Sequence, residues 1–347
     1  MAFIWKLKSN KNFLVMKTLR MIGMALFAVL MCVNFASCSS EEDVEPNEPQ
    51  KPKEYTVSLG FTGEISVSEA PLSRAEGNDL YGVYVYSCPN SGENNKYKQY
   101  AIGLFDDPTA ISIKLQEGYK YKFVSTMIVN GKQSVFSTTN SDSELIWSSP
   151  FNLPLNNDFN FSSSFGDSHE KGYSYVNGHT YYVPNVDRYY GEFSDYIPSE
   201  NGKVDISMKR TSFGIKVVAD KLEEGTLNIA INGGPGLSIE HPKTAVEDIY
   251  TFQSVVSAYN TEDYSETIAT TISWTKEDGA IVPLGTHNIT YKRNKLTTIT
   301  IKVADKTSEN GIGITIDDEE KNLGEGDNFT VENGEIIDTN VNTGTEG

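Results

Sequence analysis

The sequence predicts an all-β chain folded as two consecutive sandwich-type domains, on three observations. Apolar and polar residues alternate at period two from Tyr55 onward, most clearly at Tyr55, Val57, Leu59 and Phe61. Turn clusters punctuate the chain at Asn130-Gly131, Asn201-Gly202, Asn232-Gly233-Gly234-Pro235-Gly236 and Asp278-Gly279. No stretch of a dozen residues keeps an apolar stripe at helical spacing, which argues against a parallel sheet with crossover helices.

The first strand is expected over 55–67, because the same parity continues at Ile65 and Val67, with a break at Gly63. Strands follow at 80–86, 111–115, 119–129, 180–183, 204–208, 213–218 and 226–231. The C-terminal half adds 249–256, 267–274, 281–284, 287–291, 296–303 and 312–316. Segment 137–173 is rich in Ser, Asn and Phe and reads as irregular, a length of connection that is usually functional or mobile. A strand ending at Met208 and another starting at Phe213 put a domain boundary at Lys209-Arg210-Thr211. The N-terminal domain is then 55–210 and the C-terminal domain 211–347.

The first 37 residues have a different character. Lys17 and Arg20 precede an uncharged apolar run from Met21 to Val33, and Phe35-Ala36-Ser37 sets small residues before Cys38. That is the order of a secretory signal. The apolar run, about 13 residues, is short of the ~20 that a membrane-spanning helix needs. Met16 opens a complete signal of its own, as an alternative start. Small residues directly before a cysteine resemble the bacterial lipobox, which implies lipidation at Cys38. Ser40, Glu41, Glu42 and Asp43 resemble the acidic tag that sends Bacteroidetes lipoproteins to the outer face of the outer membrane. Residues 38–54 are thus expected to be a lipidated acidic tether, flexible because residues 45–53 are rich in Pro and charge.

The whole chain has 29 Lys and Arg against 47 Asp and Glu. Residues 1–37 hold five of the bases (Lys6, Lys8, Lys11, Lys17 and Arg20) and no acid, so 24 bases face 47 acids after them, a net −23. Such a surface repels phosphate backbones and anionic lipid, so no nucleic-acid partner is expected, and the membrane is touched only through the lipid. Cys32 lies in the signal and Cys38 takes the lipid. That leaves Cys88, beside Pro89 in an expected loop, with no intrachain partner.

Catalytic motifs are absent. His169, His179, His241 and His287 lack the spacing of a zinc site, and neither GxSxG nor a P-loop occurs. Gly233-Gly234-Pro235-Gly236 reads as a hairpin turn, since Pro235 removes an amide that a phosphate cradle would use. Asp317-Asp318-Glu319-Glu320 lacks the alternation of a calcium loop and reads as a solvated acidic turn. No cofactor and no enzymatic activity are expected. Tyrosine is the one suggestive enrichment, at Tyr173, Tyr175, Tyr181, Tyr182, Tyr189, Tyr190 and Tyr196. Such rings can stack on sugars, and they also suit half-buried strands.

Between the first two strands lies Ala70-Pro71-Leu72-Ser73-Arg74-Ala75-Glu76, a polar linker over 68–79 with an isolated Arg, the kind of segment proteases nick. Three features together resemble the fimbrillins of Bacteroidales, the subunits of type V pili. They are the cysteine at 38, the strand–Leu72-Ser73-Arg74-Ala75–strand layout leading into Asp79-Leu80-Tyr81-Gly82-Val83-Tyr84-Val85-Tyr86, and the interdomain stretch 204–218. The likeness covers most of 38–347 and rests on the order of these features. It implies two tandem transthyretin-like Greek-key β-sandwich domains. It also implies that an Arg-specific protease cuts between Arg74 and Ala75, removing the lipid and the strand carrying Tyr55, Val57, Leu59 and Phe61.

The resemblance further implies that the emptied groove takes a C-terminal strand from another copy or a related subunit, head to tail, with an adhesion receptor of glycan or protein on the host. Donor candidates lie within 312–341: Ile312, Ile314 and Ile316 on one face, then Phe329, Val331, Ile336 and Ile337. The polar tail 338–347 suits a flexible end, so the donor is expected upstream of it. Excision of 38–74 would remove eight acids and three bases, leaving 21 against 39, a net −18. Two other readings stay open. One is an uncleaved surface lipoprotein, an anchor, a tip or a module binding glycan or host protein. The other is a secreted hydrolase.

Overall fold

Residues 52–65, 78–91, 96–162, 164–176, 178–303, 313–322, 330–332 and 335–337 are described by the computed structural model. The N-terminal half contains β1 (Glu54–Gly63), β2 (Leu80–Pro89), β3 (Lys98–Phe105), β4 (Ser112–Gln116), β5 (Tyr119–Ile128), β6 (Ser137–Thr139), β7 (Leu145–Trp147), β8 (Leu153–Pro154), β9 (Phe159–Asn160), β10 (Ser174–Val176), β11 (His179–Tyr181), β12 (Arg188–Tyr196) and β13 (Lys203–Arg210). The remainder is β14 (Ser212–Asp220), β15 (Thr226–Ile231), β16 (Leu237–Glu240), β17 (Ala245–Thr251), β18 (Ser265–Thr275), β19 (Ile281–Lys292), β20 (Lys295–Lys302), β21 (Gly313–Asn322), β22 (Thr330–Glu332) and β23 (Glu335–Ile337). Among the described residues two short α-helices, α1 (Gly131–Ser134) and α2 (Val255–Asn260), and a 3-10 turn at Ser168–Glu170 interrupt them. The fold is all-β, and among the described residues no helix is long and apolar enough to cross a membrane.

One eight-stranded sheet runs in the order β4-β1-β13-β12-β5-β2-β3-β9. It curls until Ile113 and Leu115 near one edge share a core with Phe105 and Phe159 near the other. The chain then passes through Thr211 into two four-stranded sheets, β17-β14-β20-β21 and β16-β15-β18-β19. Phe213, Ile215 and Val217 of one sheet pack with Leu227, Ile229, Ile272 and Trp274 of the other in a shared core, a sandwich in which each strand turns alternate residues inward. α2 joins the two parts: Val255 is fully buried with Tyr84, Val124 and Tyr190 on the outer face of the eight-stranded sheet.

Several elements depart from expectation. β3 has no counterpart among the expected strands, because residues 101–105 are buried on both faces and carry no alternation. β12 begins on a buried arginine and bulges after Phe193, and β16 spans only four residues; neither offers a clear period. The strand expected over 249–256 ends at Thr251, and the β-branched Val255 and Val256 are helical because burial against Tyr190 outweighs their strand preference. The strands expected at 281–284 and 287–291 are one strand, β19, which meets β18 through a bulge where Gly285 takes a φ of 103°. Cys88 lies in β2, not in a loop, and is 1% exposed, out of reach of an intermolecular disulfide. The glycine run at 233–236 is the β15–β16 hairpin turn, as expected.

Candidate functional site: the bed of the first strand

β1 shows the alternation on which the sequence reading rests. Val57 is fully buried and Leu59 nearly so; Tyr55 and Phe61 are half-buried against the same core, while Thr56, Ser58 and Thr62 face out. Phe61 stacks on Tyr81, ring centroids 5.3 Å apart. The strand lies inside the sheet, with β13 parallel on one side and β4 antiparallel on the other. Beside it in the sheet, in register with its inward residues and in the same core, lie Ile113 and Leu115 of β4 and Val204, Ile206 and Met208 of β13, all buried. Further amide bonds fasten it, from Ser58 to the Gly202 carbonyl at 3.0 Å and from Leu59 to the Ile111 carbonyl at 2.9 Å. Gly63 lies too close to the β13 backbone for a side chain, whereas at Gly60 only the exposed Asp205 carboxylate is in the way. A Cβ at Gly60 would meet Asp205 Oδ1 at 2.5 Å. One at Gly63, where φ is +87°, would meet the Met208 carbonyl at 2.6 Å.

The end of β1 is tied to the C-terminal half. The Glu64 carboxylate accepts from Arg293 Nη1 at 2.9 Å through both oxygens, and from the Arg210 amide at 2.7 Å. Arg293 sits in the β19–β20 turn and is 7% exposed. It also donates to the Arg210 carbonyl at 3.1 Å and lies 3.4 Å from the exposed Glu262 carboxylate. Arg210 forks onto both oxygens of Asp187 at 2.9 and 2.8 Å. No signal in the sequence joined Glu64 to Arg293, since the contact spans 229 positions.

Cys38, the acidic run at Ser40, Glu41, Glu42 and Asp43, the linker pair Arg74 and Ala75, and Ile312 and Phe329 all lie outside the described residues. Ile314 and Ile316 fall in β21, the edge strand beside β20. Val331 and Ile336 face each other across the small β22–β23 hairpin. Asp317-Asp318-Glu319-Glu320 belongs to β21, not to a turn as expected.

A second feature is a cleft of about 530 Å³ between the segment 170–173 and the start of α2, lined by Glu170, Tyr173, Tyr182, Gln253, Ser254 and Ser257 among others. Tyr182 is 52% exposed there, whereas Tyr189 and Tyr190 are buried in the sheet, so the tyrosine run divides between surface and core. Arg188, 1% exposed, supports the floor: it donates to Thr126 Oγ1 at 2.7 Å, to the Lys171 carbonyl at 2.6 Å and to the His169 carbonyl. The Gly172 amide donates to the Gln253 carbonyl at 3.0 Å, and a Cβ on Gly172 would collide with the Phe252 carbonyl. Gly172→Ala is therefore expected to force the loop off α2 and destabilise the protein by about 1–3 kcal/mol, read as a fall in Tm.

His169 beside the cleft gives the fold an acid-sensitive step. Its ring is fully buried, stacked on Tyr84 at 3.7 Å, with Nε2 3.1 Å from the Tyr86 hydroxyl. Burial first, and the Arg188 charge second, push its pKa down from 6.5 to about 3. The folded protein thus keeps His169 neutral while the unfolded chain takes up a proton below about pH 6.5. Stability is expected to fall as pH drops from 6.5 toward 3, by on the order of 4 kcal/mol in all. His169→Phe keeps a ring on Tyr84 and should flatten this part of the pH profile of urea unfolding. An unchanged slope would rule out His169 as its source.

Among the described residues no group of three His, Cys, Asp or Glu is placed to hold a metal ion. No protein-family model matches the sequence, and no curated protein is similar to it. Among solved structures, the tip fimbrial protein Mfa3 from Porphyromonas gingivalis, with a C-terminal truncation, overlays with a TM-score of 0.32 at 10% identity, over 77% of this chain and 100% of that one. The fimbrial anchor protein Mfa2 from the same organism overlays with a TM-score of 0.33 at 9% identity, over 77% of this chain and 98% of that one. At such scores the overlays decide nothing about what this chain does.

Proposed function

We propose that this protein is a structural subunit of a cell-surface fimbria. In this reading it is exported as a lipoprotein through Cys38 to the outer membrane surface, cut between Arg74 and Ala75, and polymerised by strand exchange to serve adhesion. The observation that carries the reading is the position of β1. An interior strand with a buried Val57 and Leu59 cannot leave without opening two sheet edges and an apolar bed. Another chain's strand can satisfy both by β-strand addition. Donor and acceptor surfaces differ, so the contact is head to tail and builds an open filament. The domain division at 209–211 belongs to the same reading, with each transthyretin-like Greek-key sandwich a separate unit of the subunit.

The test is protease treatment of the mature 38–347 chain with an Arg-specific enzyme. One preferred cut after Arg74, followed by concentration-dependent polymers in light scattering and electron microscopy, is the expected result. A chain that stays whole, or is cut and stays monomeric, rejects it. The uncleaved alternative, a surface lipoprotein that binds glycan or host protein, draws on the exposed Tyr182 at the cleft. Its test is a glycan array with Tyr182→Ala; Tyr189 and Tyr190 are unsuitable probes because they are core residues.

A further inference from the structure

From the geometry at the end of β1 we infer that the groove carries a carboxylate-binding site, and that a strand from a second copy must bring an acidic side chain to it. This rests on the strand-exchange reading above. The site is built before any partner arrives. Arg293 Nη1 and the Arg210 amide converge on Glu64, while the Arg293 amide donates to the Tyr264 carbonyl at 2.8 Å and holds the turn in place. Neither donor belongs to β1. Excision of the strand takes Glu64 with it and leaves Arg293, nearly buried, with the Glu262 carboxylate, which is 71% exposed and also pairs with Lys209 at 2.8 Å. A buried guanidinium that loses a carboxylate is costly, so an occupant that restores the carboxylate is favoured over one that only fills the apolar pockets.

The second copy offers a segment with the right spacing. In β1 the inward residues and the acid fall at Val57, Leu59, Phe61 and Glu64; in the C-terminal region Ile312, Ile314, Ile316 and Glu319 repeat the intervals of two, two and three. Thr315 then replaces Gly60, where only the Asp205 side chain has to turn aside. Asp318 replaces Gly63 at positive φ, a conformation Asp adopts more readily than most residues, although its Cβ would press on the Met208 carbonyl. β21 occupies an edge of its own sheet, as β17 does the other, so its departure breaks one ladder, where an interior strand would break two.

The experiment uses the mature chain with a specific protease site placed within 66–77, cut and then offered labelled peptides. Peptide 54–65 is expected to exchange into the groove, and its Glu64→Gln form to bind about tenfold more weakly. On an Arg293→Gln acceptor the two peptides should bind alike, because the partner of the carboxylate is gone. If that acceptor does not fold, Arg293→Lys serves in the same cycle, with a reduced difference between the peptides. Peptide 310–320 should bind the unmodified acceptor and lose affinity when its four acids become Asn and Gln. Equal binding of the 54–65 peptides, a difference that persists on the Arg293→Gln acceptor, or no exchange at all would overturn the site. Failure of 310–320 alone would overturn the assigned occupant. Glutamate-dependent exchange in a cut protein that never polymerises would keep the site and reject the filament.

Discussion

Leu59→Asp is expected to abolish folding of the eight-stranded sheet, with a loss above about 4 kcal/mol, whereas Thr56→Asp three residues earlier should change stability by no more than about 0.5 kcal/mol. The two substitutions introduce the same charge into the same strand. Leu59 is 4% exposed and pairs with Val204 above a core of Ile, Met and aromatic side chains, where an ionised carboxylate has neither water nor a cation. Thr56 faces solvent opposite Lys114 on β4, where a carboxylate gains a cross-strand partner. Circular dichroism and urea unfolding of the pair would measure the parity of β1 directly. Similar losses for both would mean that β1 is not held in this register. The same pair predicts the protease result: a Leu59→Asp chain should be degraded throughout, and a Thr56→Asp chain cut as the unmodified protein is.

Arg188→Ala is expected to cost about 3–5 kcal/mol and to loosen the segment 168–173 and the cleft it lines. The guanidinium is fully buried and its hydrogen bonds go to neutral oxygens, those of Thr126, Lys171 and His169, rather than to a carboxylate. Burial lowers its pKa to about 10, still well above neutrality, so it remains charged in the folded protein. Truncation takes the donor from all three oxygens, and the desolvation of the two buried ones, on Thr126 and His169, is the main loss. Removing the charge itself works in the opposite direction, since a guanidinium without a counter-ion is held at some cost. Arg188→Met, which fills more of the space, should therefore lose less than Arg188→Ala. Hydrogen exchange at Gly172, whose amide bonds to Gln253, would report the loosening. Protection there that is unchanged in Arg188→Ala would show that the loop is held by other contacts.

Period two is a local property, and for that reason the sequence alone identified β1, its inward face at Tyr55, Val57, Leu59 and Phe61, and the strands 119–129, 213–218 and 267–274 close to their observed limits. Turn chemistry is local too: Asn201 takes a φ of 55° between β12 and β13, and Gly279 a φ of 84° between β18 and β19. Where burial removes the period, as in β3, or tertiary packing outweighs preference, as in α2, that legibility ends.

Only the tertiary structure decided where β1 sits. Alternation announces a half-buried strand and is the same for an edge or an interior position; the partners β4 and β13 come from sheet order, set by contacts up to about 150 residues apart. The same holds for the tyrosines, which the sequence lists alike and the fold divides into buried Tyr189 and Tyr190 and exposed Tyr182. Glu64 and Arg293 carry nothing in their neighbourhoods that pairs them. Their contact exists because β1 ends where the β19–β20 turn of the C-terminal sandwich meets it.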